Sequence, residues 1–192
     1  MRTDRLLVID VEATCWRGHP PPGEQREIIE IGLCVFDLVT HQPGERRSLI
    51  LKPQQSKISP FCTHLTSITP EMVAQGMLFN EACGLLRREY DSTALAWTSW
   101  GKDDRRLFEQ QCAAFRVQYP FGERHIDLRR LFAVLQRRDQ QVKIRQVGLA
   151  KALALMGLDG EGAAHRGVDD AFNTARLLAA MFECFGADIL DG

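Results

Sequence analysis

An α/β sheet flanked by helices is the expectation for this chain, and three features of its 192 residues lead there. Short apolar runs bounded by turn residues fill the first third. Apolar residues at helical spacing take over from residue 103 onward. Between them, a strand-like run at 94–99 feeds almost directly into the first long helical pattern, as strands do where helices are interleaved with a sheet.

Leu6-Leu7-Val8-Ile9 is an unbroken apolar run ending at Asp10, the pattern of a central strand covered on both faces. Arg17-Gly18-His19-Pro20-Pro21-Pro22-Gly23-Glu24 can hold neither helix nor ladder. The apolar run resumes at Ile28-Ile29 and reaches Leu38, with a turn expected over 40–44 and a hairpin partner over 47–51. Thr69-Pro70-Glu71 sets a capping hydroxyl before a proline at the first helical position, and Asn80-Glu81 opens another helix to about Tyr90. The strand at 94–99 follows. Leu107, Phe108, Cys112 and Phe115 then predict a helix from Asp103 that stops by Tyr119-Pro120, with a short strand at 124–126 beyond it. Helices are predicted over 128–137, 146–156 and 169–185, the last two ended by Gly157 and Gly186.

With 45% apolar residues and no run near the roughly 18 that cross a membrane, one folded domain over 1–192 is expected, with no membrane partner. The first five residues lead into a strand too short for a secretory segment, so a cytoplasmic location is expected. Six cysteines, scattered without a C-x-x-C pair, argue against a zinc site and a disulfide framework. A net charge of -1 excludes a generic polycation, although the cations are 19 Arg to 5 Lys and arginine is the better bidentate phosphate ligand. Seven of these cations (Arg124, Arg129, Arg130, Arg137, Arg138, Lys143, Arg145) crowd one segment, where a solvated helix face competes with a track for a nucleic-acid backbone.

Chemistry is offered at element ends. Asp10 and Glu12 stand two residues apart at the end of the first strand, so both point to one face and repel unless a cation joins them. Asp104 falls on the inward stripe with Leu107, Phe108 and Cys112, whereas Asp103 points about 100° away. In His165-Arg166-Gly167-Val168-Asp169-Asp170, Gly167 is expected to break the helix, leaving His165 on a loop and either Asp169 or Asp170 on the first turn beyond. Singly, each of these residues has a plainer explanation as a cap or a surface charge. Together they gather on the carboxyl-terminal rim of a doubly wound sheet, where sites form.

Val8-Ile9-Asp10-Val11-Glu12-Ala13-Thr14-Cys15 resembles the first motif of the DEDDh 3′-to-5′ exonucleases, Ser99-Trp100-Gly101-Lys102-Asp103-Asp104 the second, and His165-x4-Asp170 the third. Glu27-Ile28-Ile29-Glu30-Ile31-Gly32 and Phe61-Cys62-Thr63-His64-Leu65-Thr66-Ser67-Ile68-Thr69-Pro70 are similar to the branch that acts on histone mRNA and small RNAs. Two departures stand out: Gly-Lys-Asp is interposed after Trp100, and the separate RNA-binding domain of eukaryotic members is absent from this sequence.

The resemblance implies a ribonuclease H-like fold, with a mixed five-stranded sheet whose second strand is antiparallel. It implies two Mg²⁺ ions, replaceable by Mn²⁺, on Asp10, Glu12, Asp104 and Asp170, with His165 as general base. The partner implied is single-stranded nucleic acid with a free 3′ end, RNA before DNA, cut to nucleoside 5′-monophosphates. Ala13, Thr14, Leu65 and Trp100 are implied to contact the terminal nucleotide. The competing expectation is a regulatory, protein-binding member of the fold with little nuclease activity.

Overall fold

The computed structural model describes residues 4–140 and 146–190, and the side chains of all of these except 137–140. Strands β1 (Arg5–Ala13), β2 (Ile28–Asp37), β3 (Gln42–Ile50), β4 (Ala96–Ser99) and β5 (His125–Asp127) form one five-stranded sheet in the order β3-β2-β1-β4-β5. β2 runs antiparallel to β1 and β3, while β4 is parallel to both β1 and β5. The helices are α1 (Pro60–Thr66), α2 (Pro70–Ala74), α3 (Phe79–Tyr90), α4 (Asp103–Phe115), α5 (Leu128–Gln140), α6 (Leu149–Leu155) and α7 (Gly167–Phe185). Among the described residues no helix is long and apolar enough to cross a membrane.

Side-chain alternation along β1 sets the layers. Leu7 and Ile9 pack with Phe79 and Leu86 of α3 and with Phe108 and Cys112 of α4. Leu6 and Val8 face the other way, onto Leu128 and Phe132 of α5, Ala152 of α6 and Leu177, Leu178 and Met181 of α7. All four β1 side chains are fully buried, each contributing roughly 1.5–3 kcal/mol relative to exposure. The same period, continued past Ile9, turns Asp10 and Glu12 toward the layer that holds α7. A third cluster of Ile29, Cys62, Ile68 and Val73 seats α1 and α2 beside β2.

The structure departs from the sequence expectations in five places. β1 outruns its apolar stretch, since Asp10 and Glu12 stay in register with Gly32 and Glu30 through backbone bonds that ignore side-chain polarity. The hairpin reverses before residue 42, because Asp37 Oδ1 accepts from Val39 N and Thr40 N, both at 2.8 Å, and His41 takes φ 56°. Pro43 and Gly44 therefore lie in β3, an edge strand where a missing donor is tolerated. α1 was not expected; Ser59 Oγ caps it by accepting from Cys62 N at 3.0 Å. α6 begins at Leu149, behind Gly148, and not at 146.

The fifth correction concerns Gly167, which opens α7 and does not break it. The break lies at His165, with φ 61°. Glycine is needed at 167 for close approach: an added Cβ would sit 3.1 Å from Asp10 O and from Gly32 N. The facing Gly32 is tighter still, since a Cβ there would overlap Gly167 C and O and Val168 N, backbone atoms that cannot swing aside. Gly32→Ala is expected to cost about 3 kcal/mol, a fall in Tm of roughly 6–12 °C on thermal denaturation. An unchanged Tm would mean that α7 does not rest on β2 here.

Candidate active site

The carboxyl end of β1 meets the amino ends of α4 and α7. Gln111 of α4 fixes the first of these junctions, its Oε1 accepting from Ile28 N at 2.8 Å where β2 begins. The first turn of α4 then delivers Asp104, whose Oδ1 accepts from Val11 N at 3.1 Å, between Asp10 and Glu12. Asp103 turns outward, its side chain 83% exposed, with only Arg106 Nη1 at 3.4 Å. The inward stripe thus holds for Asp104.

At the second junction His165 N donates to Asp170 Oδ2 at 2.9 Å, closing the turn that presents the histidine. Potential ligand atoms of Glu12, His165 and Asp170 all lie within 4.8 Å of one another. Asp169 points elsewhere: its Oδ2 accepts from Ala163 N at 3.0 Å, and Arg46 Nη1 stands 3.9 Å from its Oδ1. The structure therefore separates two aspartates that periodicity could not.

The electrostatics follow from crowding. Burial first, then Asp104, Asp170, Glu12 and Glu30, pushes Asp10 far above the usual carboxylate range. Burial and the Asp170, Glu30 and Asp104 charges raise Glu12 to about 8, against the pull of Arg26. Burial raises Asp104 to about 6, despite the hydrogen bond from Val11 N that favours its charged form. Asp170 is raised mainly by burial. These acids cannot all be ionised at neutral pH without added positive charge. Carboxylate oxygens converging from three elements are a donor set suited to a hard divalent cation.

The residues expected at the nucleotide lie apart in character. Ala13 is 5% exposed and Thr14 fully buried. The Thr14 hydroxyl is spent inside the protein, donating to Gln25 O at 3.0 Å and accepting from Glu27 N at 2.9 Å. Trp100 packs on Phe132 at 5.9 Å between ring centroids and donates through Nε1 to Val147 O at 3.2 Å. Trp100 is nonetheless half-buried and keeps part of its surface accessible. Leu65 is half-buried on α1, whose cap Ser59 donates to Cys15 O at 2.6 Å and so ties that helix to the turn after β1. In the Arg-rich segment, Arg124 Nη2 donates to Leu190 O and Arg129 Nε to Gln146 Oε1, and Arg130 is exposed. The side chains of Arg137, Arg138, Lys143 and Arg145 lie outside the described residues.

Sequence reasoning passed over Glu30 as a working residue. It is fully buried on β2, and its carboxylate accepts from Ser48 Oγ at 2.6 Å, Gly167 N at 2.9 Å and Arg166 Nε and Nη2 at 3.1 and 3.3 Å. The signal was present: a carboxylate inside an apolar strand requires a buried partner.

The sequence profile of the Exonuclease (RNase T) family matches residues 7–178. Human 3′-5′ exoribonuclease 1 is 28% identical over 191 residues, covering 94% of this chain and 53% of the human protein. The Drosophila melanogaster 3′-5′ exonuclease Snipper is 29% identical over 203 residues, covering 92% and 68%. The chain thus spans about half the length of the exoribonuclease 1 relatives. Among solved structures, the nuclease domain of 3′hExo, a DEDDh family member bound to rAMP, superposes with a TM-score of 0.81 at 26% identity, covering 94% of this chain and 92% of that one. Cell-death related nuclease 4 shares the fold, with a TM-score of 0.83 at 20% identity over 95% of this chain and 64% of that one. A profile match over most of the chain, on a sheet of this topology, settles the family: the chain belongs to the RNase T exonucleases, in their DEDDh division, on the ribonuclease H-like fold.

Proposed function

We propose that this chain is a divalent-metal-dependent 3′-to-5′ exonuclease, with residues 1–192 as one nuclease domain, that shortens single-stranded nucleic acid from a free 3′ end. RNA is the preferred substrate, in line with relatives named as exoribonucleases and the rAMP bound to 3′hExo. The observation that carries the reading is the approach of Glu12, His165 and Asp170 to within 4.8 Å of one another on the sheet rim, with Asp104 near enough to raise the carboxyls of both Asp10 and Glu12.

The four carboxylates would hold two Mg²⁺ ions, or Mn²⁺ in their place. When bound, such ions polarise the scissile phosphate, activate the attacking water and neutralise charge on the departing oxygen. The protein's own share is positional and acid–base. His165, exposed on its left-handed turn and close to Glu12 and Asp170, takes the proton from water at a ring nitrogen as the water oxygen attacks phosphorus. The bond from phosphorus to the penultimate 3′ oxygen breaks, and the terminal residue leaves as a nucleoside 5′-monophosphate. Asp104 locks the end of β1 through Val11 N, so that Asp10 and Glu12 keep one spacing through the cycle. Of the expected nucleotide contacts, the side chains of Leu65 and Trp100 remain partly accessible.

Matched 5′-labelled single-stranded RNA and DNA, each with Mg²⁺, Mn²⁺ or EDTA and beside a 3′-phosphate-blocked control, test this directly. The expected result is a ladder shortening from the free 3′ end, faster on RNA and absent in EDTA. Internal cuts giving oligomers, or intact substrate under every metal from folded protein, would overturn it in favour of an endonuclease or a partner-binding protein.

A further inference from the structure

We propose that Glu30 is a positioning residue for His165, acting from β2 as the amino-terminal cap that α7 does not supply for itself; this rests on the exonuclease reading above. Helix ends need acceptors for their first N–H groups, normally the side chain of the residue just before the helix. In α7 that residue is Arg166, which carries no acceptor, and it makes no side-chain capping bond. The Glu30 carboxylate fills the gap from 137 residues away, accepting from Gly167 N at 2.9 Å. A negative charge at this end is also favoured by the helix dipole.

The carboxylate is fully committed. Ser48 Oγ donates to one oxygen at 2.6 Å, and Arg166 spans both oxygens through Nε and Nη2. Glu30 thus sits among the acidic residues, close enough to raise Asp10 and Glu12, yet its oxygens are taken by protein donors. It is a fifth acid that does not serve as a ligand. Arg166, whose side chain is 22% exposed, lies directly between His165 and Gly167. Glu30 therefore grips both residues that follow the histidine. On the far side, His165 N is held by Asp170 Oδ2. The left-handed turn at His165 is set between these two anchors, one from β2 and one from α7.

The Gly32–Gly167 contact keeps the helix end within reach of the cap, since a side chain at Gly32 would overlap the backbone of Gly167 and Val168 and push α7 off the strand. Glu30 and Gly32 are two apart on β2 and share the face that α7 covers. A single strand face thereby positions the general base.

Glu30→Gln keeps the shape and removes the charge. Amide hydrogen exchange, read by mass spectrometry on the metal-free protein, is expected to rise at least tenfold for residues 165–170 and to stay unchanged in β1. In RNA cleavage with Mg²⁺, kcat is expected to fall roughly 10- to 100-fold, as for groups that orient a working side chain, with KM within twofold. In a His165→Ala background the same substitution should change the residual rate less than twofold. Unchanged exchange at 165–170 overturns the proposal, whether or not the protein cleaves RNA. So does an equal loss of kcat in both backgrounds, which would place the effect outside His165. If exchange rises as expected but the wild type cleaves nothing, the exonuclease reading fails and the anchoring role stands.

Discussion

Asp104→Asn is expected to lower metal-dependent cleavage by roughly 10³-fold, the scale of losing a charged group that acts at the reacting phosphate. Asp103→Asn should change it less than twofold. The two positions are adjacent, both aspartates and in the same helical turn, so composition and dipole effects cancel in the comparison. What differs is direction, since Asp104 binds Val11 N while Asp103 is 83% exposed. The fold should survive. The substituted amide keeps a carbonyl oxygen for Val11 N, and the metal-free protein loses a carboxylate that it holds at some cost. In the folded chain Asp104 is raised to about 6, so it binds a proton more tightly folded than unfolded. The stability from that protonation is complete below the ordinary carboxylate pKa of about 3.9 and is lost as pH rises through about 6. Metal-free Asp104→Asn should therefore melt at or above the wild-type temperature at pH 7.5. Inactivity joined to a large drop in Tm would point to a structural role instead.

Loss of the imidazole comes second. His165→Ala is expected to reduce kcat by roughly 10²- to 10⁴-fold, the range of a positioned general base. The Mg²⁺ concentration for half-maximal rate should move less than threefold. The separation is expected because the backbone N–H of His165, and not its ring, bonds to Asp170. The left-handed φ of 61° adds a complication that a second variant removes. Asparagine tolerates that conformation but cannot take a proton from water. His165→Asn should be as slow as His165→Ala. Activity recovered in the asparagine variant would assign the loss to backbone strain.

What could be read in the sequence was whatever rests on local period. Leu6 to Ile9 announced β1, and the stripe through Leu107 and Phe108 chose Asp104 over its neighbour. What could not be read depends on partners far along the chain. Periodicity left Asp169 and Asp170 open, the His165-x4-Asp170 spacing favoured the second by resemblance, and the partner that draws Asp169 aside from β3, Arg46, had no local signal. The internal partners of the Thr14 hydroxyl, Gln25 and Glu27, carried no local signal either. The partners of the Trp100 ring, Phe132 and Val147, lie 32 and 47 residues away and could not be read locally. α1 is a lesser failure. Ser59-Pro60 is the same cap-and-proline signal that marked Thr69-Pro70, and it was legible but passed over.

Most depends on Asp10, Glu12, Asp104 and Asp170 forming a cation site. Calorimetric titration of the metal-free protein with Mn²⁺, in buffers of differing ionisation enthalpy at pH 6.5, 7.5 and 8.5, tests it without any substrate. Acids held above their ordinary range must give up protons when a cation arrives. Saturable binding is expected, with protons released at pH 6.5 and 7.5 and fewer at 8.5, above the value of about 8 for Glu12. Asp10→Asn should abolish it. Folded wild-type protein that takes up no Mn²⁺, or that binds it equally well with asparagine at position 10, would contradict a cation site on these four carboxylates.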